Sequence, residues 1–276
     1  MDWSLVLLSQ GIETIIEPPA EDHGWQLSLG EPDLARARAA LRQYLAENRR
    51  PAWVRELPWT GLLFDGRSVV WLLLLCAIFA LGQTWLGSLR EAGLMSSQAV
   101  RAGQWWRLFT AVMLHADWGH LATNVSTGVV LLGLAMGSFG AGYGVLAAYL
   151  AGAAGNVAGL WLYGPVHRGL GASGMVMGAL GLLTAQSLAY WRSGSETSWL
   201  VVRGVAAGCL LLVLLGLNPD ADVIAHVGGF VAGLFFGVLL LLSPTPTAQH
   251  TWGNRIAELV CGGLMILTWG LALRAS

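Results

Sequence analysis

The sequence predicts an all-α polytopic membrane protein with a small α+β domain at its N-terminus, and three observations carry that prediction. Of the 276 residues 55% are hydrophobic and only 11% charged, with a mean hydropathy of +0.60, too apolar for an ordinary soluble domain. Beyond about Arg67 the chain falls into windows of about twenty apolar residues, the length a helix needs to cross a bilayer. Before that point it is polar and rich in arginine.

Residues 1–50 read as a separate cytoplasmic module. Ile12 to Ile16 and Trp25 to Leu29 have strand composition, and Glu31-Pro32 opens an arginine-rich helical segment through Glu47. The module serves either as a solvated cap that orients the chain or as a partner-binding element. Residues 51–67 form a linker, residues 68–243 hold six spans, and residues 244–276 supply a second linker and a seventh. The spans are expected at about 68–87, 118–137, 141–163, 171–191, 199–217, 222–243 and 256–273. The opening MDWSLVLLSQ lacks a basic n-region, so the first span is expected to act as the targeting signal.

All 15 basic residues are arginine, and seven of them precede the first span, Arg55 and Arg67 nearest to it. That bias places the N-terminus in the cytoplasm, and seven crossings then leave the C-terminus outside. A formal net charge of -1 provides no broad basic surface and excludes nucleic acid as a partner. Cys76, Cys209 and Cys261 stand alone in three apolar segments, without the spacing of a metal or redox site, and read as buried free thiols.

Two polar islands lie inside apolar stretches: Gly171-Ala172-Ser173-Gly174 and Ala225-His226-Val227-Gly228-Gly229. A hydroxyl and an imidazole are costly at bilayer depth, and together they suggest a nucleophile and its base. Ser173 follows a glycine-rich approach and opens a helix, whose N-terminus offers unpaired N–H groups to a developing oxyanion. Taken alone, Ser173 also reads as an N-cap or a small packing residue, and His226 as a proton relay or structural donor. Gly174 and Gly178 on one span, with Gly229 and Gly233 on the other, form small faces that let the two helices approach closely.

His120 and Asn124, spaced i, i+4, present two donors on one helical face, either for an oxyanion or as glue between helices. Asp222 precedes His226 by four residues and could orient it as the third member of a triad, yet capping explains an acid at that helix mouth equally well, as it does Asp117 before His120. His115 reads as a loop histidine at the membrane surface, and His23, His167 and His250 suggest nothing specific. The short loop Gly216 to Ala221 is a candidate lid.

Trp106-Arg107, His115 with His120-x3-Asn124, GASG at 171–174 and AHxxG at 225–229 occur in order, and together the chain resembles the rhomboid family of intramembrane serine proteases over roughly residues 67–243. The N-terminal module more loosely resembles the small domain of some bacterial rhomboids. The resemblance implies a bundle of six core helices plus one in a bacterial inner membrane. It implies Ser173 as nucleophile, His226 as general base of a dyad without an acid, and His120 and Asn124 as oxyanion donors beside the Ser173 amide. Trp106 and Arg107 would belong to a half-submerged first loop at the rim of the site. No metal or organic cofactor is expected, and the substrates would be membrane proteins cleaved in or near their transmembrane segments.

This chain departs from the family at Met177, where members often carry an aromatic residue against which the histidine packs. It departs again at Met136 and Ser138, where many carry a Glu or Arg that braces the first loop. Two rival readings are a rhomboid-like pseudoprotease that binds transmembrane helices without cleaving them, and a small transporter. The intact serine and histidine weigh against the first, and the lack of paired acids or bases within the spans weighs against the second.

Overall fold

A computed structural model describes residues 3–18, 25–47, 63–84, 87–188, 198–217, 221–243, 247 and 250–275. The chain divides into two units, residues 1–60 and 61–276. In the first, helix α1 (Trp3–Ser9) precedes antiparallel strands β1 (Ile15–Glu17) and β2 (Gln26–Ser28), which pair Ile16 with Leu27. A 3-10 turn at Glu31–Asp33 with Pro32 in its first turn leads into α2 (Leu34–Glu47). Leu7, Ile12 and Ala37 form its buried centre. No local pattern marks α1, which the sequence does not predict: seven residues are too few to show a helical period, and the burial of Leu7 against other elements holds the helix. Most of the proposed linker, residues 51–62, lies outside the described residues.

The second unit is an α-helical bundle. Its long helices are α3 (Ser68–Thr84), then, after a loop, α7 (Trp118–Phe139), α8 (Ala141–Leu162), α9 (Ser173–Leu188), α10 (Ser198–Gly216), α11 (Val223–Leu241) and α12 (Thr251–Arg274). Four of these, α7, α8, α11 and α12, are long and apolar enough to cross a membrane, and the other three are shorter apolar helices. Each falls within one of the seven expected windows or overlaps it closely. The loop after α3 holds three short helices, α4 (Gly87–Gly93), α5 (Ser97–Arg101) and α6 (Arg107–Thr110), and strand β3 (Met95–Ser96). Strand β4 (Arg168–Gly169), between α8 and α9, pairs with β3.

Helix α9 sits at the centre, nearly all of it buried, within a core that includes Leu75, Phe139, Tyr149, Met175 and Leu182. Apolar side chains also face outward, among them Leu214 on α10, Phe235 on α11 and Leu259 and Ile266 on α12. Of the three thiols expected to be buried only Cys261 is, for Cys76 is half-buried and Cys209 lies on an outward face of α10. A ring of exposed apolar groups around a buried core is what lipid requires, and the protein is an integral membrane protein.

Glycines set how closely the central helices approach. A Cβ at Gly229 would strike the carbonyl oxygen of Gly174, and one at Gly233 would strike that of Gly178. Helices α9 and α11 therefore meet backbone to backbone, an approach that side chains would prevent. Helix α8 joins them, since a Cβ at Gly155 would run into the Ala225 carbonyl.

Candidate active site

The approach to Ser173 is fixed by the loop between α3 and α7. Met95 pairs with Gly169, the Ser97 amide donates to the His167 carbonyl at 3.0 Å, and the Gly171 amide donates to Ala111 at 3.0 Å. Gly171 then turns with φ +135°, a conformation that favours glycine, and a Cβ there would lie 2.8 Å from His120 Nε2. Half-buried Ser173 begins α9 immediately afterwards. The first amide to bond back is that of Val176, to Ala172, so helix geometry leaves the Ser173 amide without an intrahelical acceptor.

His226 lies one residue-turn into α11 and is 5% exposed. Its Nδ1 is 2.7 Å from the Gly216 carbonyl at the end of α10. A carbonyl only accepts, so Nδ1 carries the proton and the lone pair resides on Nε2. The space beside that contact is filled by Met177: a Cβ at Gly216 would lie 3.4 Å from its sulfur and 3.6 Å from His226 Cβ. The thioether thus lies in the neighbourhood of the imidazole.

Asp117 caps α7 by accepting from the His120 amide at 2.9 Å. From that first turn His120 and Asn124 face the same cavity, about 950 Å³ in volume, that Ser173, Met177 and His226 also line. The Nδ2 group of Asn124, a side chain 4% exposed, has no hydrogen-bond partner among the described residues. His120 Nε2 and Ser173 Oγ both lie within 4 Å of one point, the place a Gly171 Cβ would take. His115, expected at the membrane surface, is instead buried behind His120 with ring centroids 5.2 Å apart, and it is not in the cavity lining.

Trp106 and Arg107 also lie outside the cavity lining. Arg107 instead holds the loop together, donating from Nη1 to the carbonyls of Glu91 and Leu94 at 2.8 Å and from Nε to Gln104 at 2.6 Å. Thr110 Oγ1 adds a bond to the Gly93 carbonyl at 2.6 Å. From α8, Asn156 donates to the Leu108 carbonyl at 2.7 Å. Ser138 is no brace, since its hydroxyl returns to Leu134 in its own helix. Among the described residues no cluster of His, Cys, Asp or Glu is placed to hold a metal ion.

Asp222 is the N-cap of α11, accepting from the Ala225 amide at 3.0 Å. Its other oxygen lies 3.1 Å from His167 Nε2, whose ring stacks on Tyr163 at 4.2 Å. His226 Nδ1 is engaged elsewhere, so Asp222 does not orient it. One carboxylate instead joins the helix bearing His226 to the strand leading to Ser173. His167 carries no signal in the sequence, because nothing local marks a contact with a residue 55 positions away. Of the candidate lid, residues 218–220 lie outside the described residues.

A family model described as the rhomboid domain matches residues 102–243, just over half of the chain. The chain is 28% identical to RHOMBOID-like protein 5 of Arabidopsis thaliana over 166 residues, 57% of this chain and 51% of that one. It is 27% identical to Rhomboid protease GluP of Bacillus subtilis (strain 168) over 188 residues, 65% of this chain and 34% of that one. Rhomboid-type serine protease 2 of Emericella nidulans is 28% identical over 154 residues, 53% of this chain and 29% of that one. The chain spans about half the length, or less, of these curated relatives.

Proposed function

The chain belongs to the rhomboid family, and from that premise we propose that it is an intramembrane serine endopeptidase working through Ser173 and His226. The observation that carries this reading is the pair of groups in one cavity, with the His226 proton committed to Gly216 and its Nε2 lone pair left as a base. Ser173 Oγ attacks the scissile carbonyl of a membrane-protein substrate while Nε2 takes its proton. The negative oxygen is met by the Ser173 amide, His120 and the unpartnered Asn124 amide. His226 then returns the proton to the leaving amine, and the acyl-enzyme forms. Water, deprotonated by the same imidazole, attacks the ester and restores the serine.

The polar lining admits that water, and the arginine bias along the sequence orients the cavity to the extracytoplasmic side of a bacterial inner membrane. A substrate helix has to unwind to expose a peptide bond, so small or helix-breaking residues near that face suit the site best. Gly174, Gly178, Gly229 and Gly233 serve by holding nucleophile and base at one spacing.

The test is cleavage of a single-pass reporter helix by purified protein in lipid vesicles. Ser173→Ala and His226→Ala are each expected to abolish cleavage without altering the thermal midpoint. Full cleavage by either variant removes the dyad. A wild-type protein that binds the reporter without cutting it supports the pseudoprotease instead.

A further inference from the structure

Helix α12 lies outside the matched domain, residues 102–243, and contributes no group to the cavity. The structure assigns it a role nonetheless: α12 is the brace that positions the active-site loop, and Trp269 is the positioning residue through which it acts. This assignment rests on the protease reading above.

Both ends of α12 are tied to the bundle. At its start Asn254 Oδ1 accepts from the Gly142 and Tyr143 amides of α8 at 3.1 and 3.3 Å, and Glu258 pairs with Arg67 at 2.9 Å. Four turns on, Trp269 packs against a buried trio on the loop, Leu89, Leu94 and Leu114. The fit is close. A Cβ at Gly93 would lie 2.7 Å from the Trp269 ring and 3.2 Å from the Leu114 methyl, so the indole occupies the space that glycine leaves.

What rests on that ring explains its importance. The carbonyls of Gly93 and Leu94 hold Thr110 and Arg107, and Leu114 leads into His115 and the helix of His120 and Asn124. Leu170 packs against the same leucine trio and stands just before Gly171 and Ser173. One apolar cluster therefore seats both the chain leading to the oxyanion donors and the chain leading to the nucleophile, with Trp269 closing it from α12. The indole Nε1 is buried without a partner among the described residues, so its shape matters here and its N–H does not.

The experiment compares Trp269→Ala, Trp269→Phe and Leu264→Ala in vesicles, by reporter kinetics and by the rate at which a fluorophosphonate labels Ser173. Leu264 packs on the main core from the same helix and serves as control. Trp269→Ala is expected to lower kcat and labelling by about tenfold or more with KM within about twofold, the signature of displaced reacting groups. Trp269→Phe is expected to restore most of the loss, and Leu264→Ala to stay near wild type. Should Trp269→Ala fail to fold, Trp269→Leu takes its place with the same expectations. An unchanged rate in the truncated variant, an equal loss in Leu264→Ala, or no rescue by Phe overturns the brace. A wild type that neither cleaves nor takes label overturns the protease reading, and amide hydrogen exchange over residues 87–114 then decides the brace alone: faster exchange in Trp269→Ala supports it, unchanged exchange overturns it.

Discussion

Gly229→Ala tests whether backbone contact between α9 and α11 sets the spacing of Ser173 and His226. The added Cβ would meet the Gly174 carbonyl carbon at 2.9 Å and its Cα at 3.1 Å, with the carbonyl oxygen nearer still. Ordinary contact begins at 3.4 Å, and all three obstacles are backbone atoms that cannot rotate aside. The helices have to part by roughly 1 Å at this level, at a cost of about 1–3 kcal/mol in stability. Gly174 adjoins Ser173 and Gly229 lies one turn from His226, so the parting passes almost undiminished to the reacting groups. A displacement of that size costs on the order of 100-fold in rate. The assay is single-turnover reporter cleavage, with Gly262→Ala on α12 as control, because a Cβ there meets nothing within 4 Å. The reasoning fails if Gly229→Ala cleaves at the wild-type rate, or if the control is equally slow.

In the proposed mechanism Asn124→Ala removes one oxyanion donor and is expected to lower kcat by about ten- to a thousandfold with KM little changed; a rise in KM alone would move Asn124 from transition-state to ground-state binding. Asp222→Asn retains an N-cap but loses the charge facing His167, and is expected to cost at most about 1 kcal/mol of stability, read from thermal melts, with cleavage largely kept. Loss of cleavage as complete as in His226→Ala would restore Asp222 as a third catalytic member. Burial, with the neighbouring His120 second, pushes the His115 imidazole down from 6.5 to about 4. Between those values the unfolded chain holds a proton that the folded one does not, so stability falls as the pH drops through the window, by on the order of 3 kcal/mol in full. Thermal melts from pH 7 to 4 should slope less in His115→Gln than in wild type, and equal slopes would refute the assignment.

The helices were legible because lipid imposes one rule on every residue of a span, and that rule survives in composition. The paired glycine faces were legible for the same reason, since i, i+4 spacing is local. Asp117 and Asp222 could be read as caps from their places before the helices. What escaped depends on distant partners. The two-residue strands Met95–Ser96 and Arg168–Gly169 carry no pattern of their own and exist only through each other. The same holds for His167 with Asp222 and for Trp269 against Gly93. Met136 and Ser138 drew attention to missing supports on α7, while the supports found, Asn156 and Trp269, lie on helices where no local signal distinguished them.

The tether on His226 ends on a main-chain oxygen, that of Gly216. No exchange of one side chain for another can delete it. In the proposed mechanism the tautomer of the base thus depends on where the last turn of α10 stands, and a tilt of that helix would retune His226 without touching it.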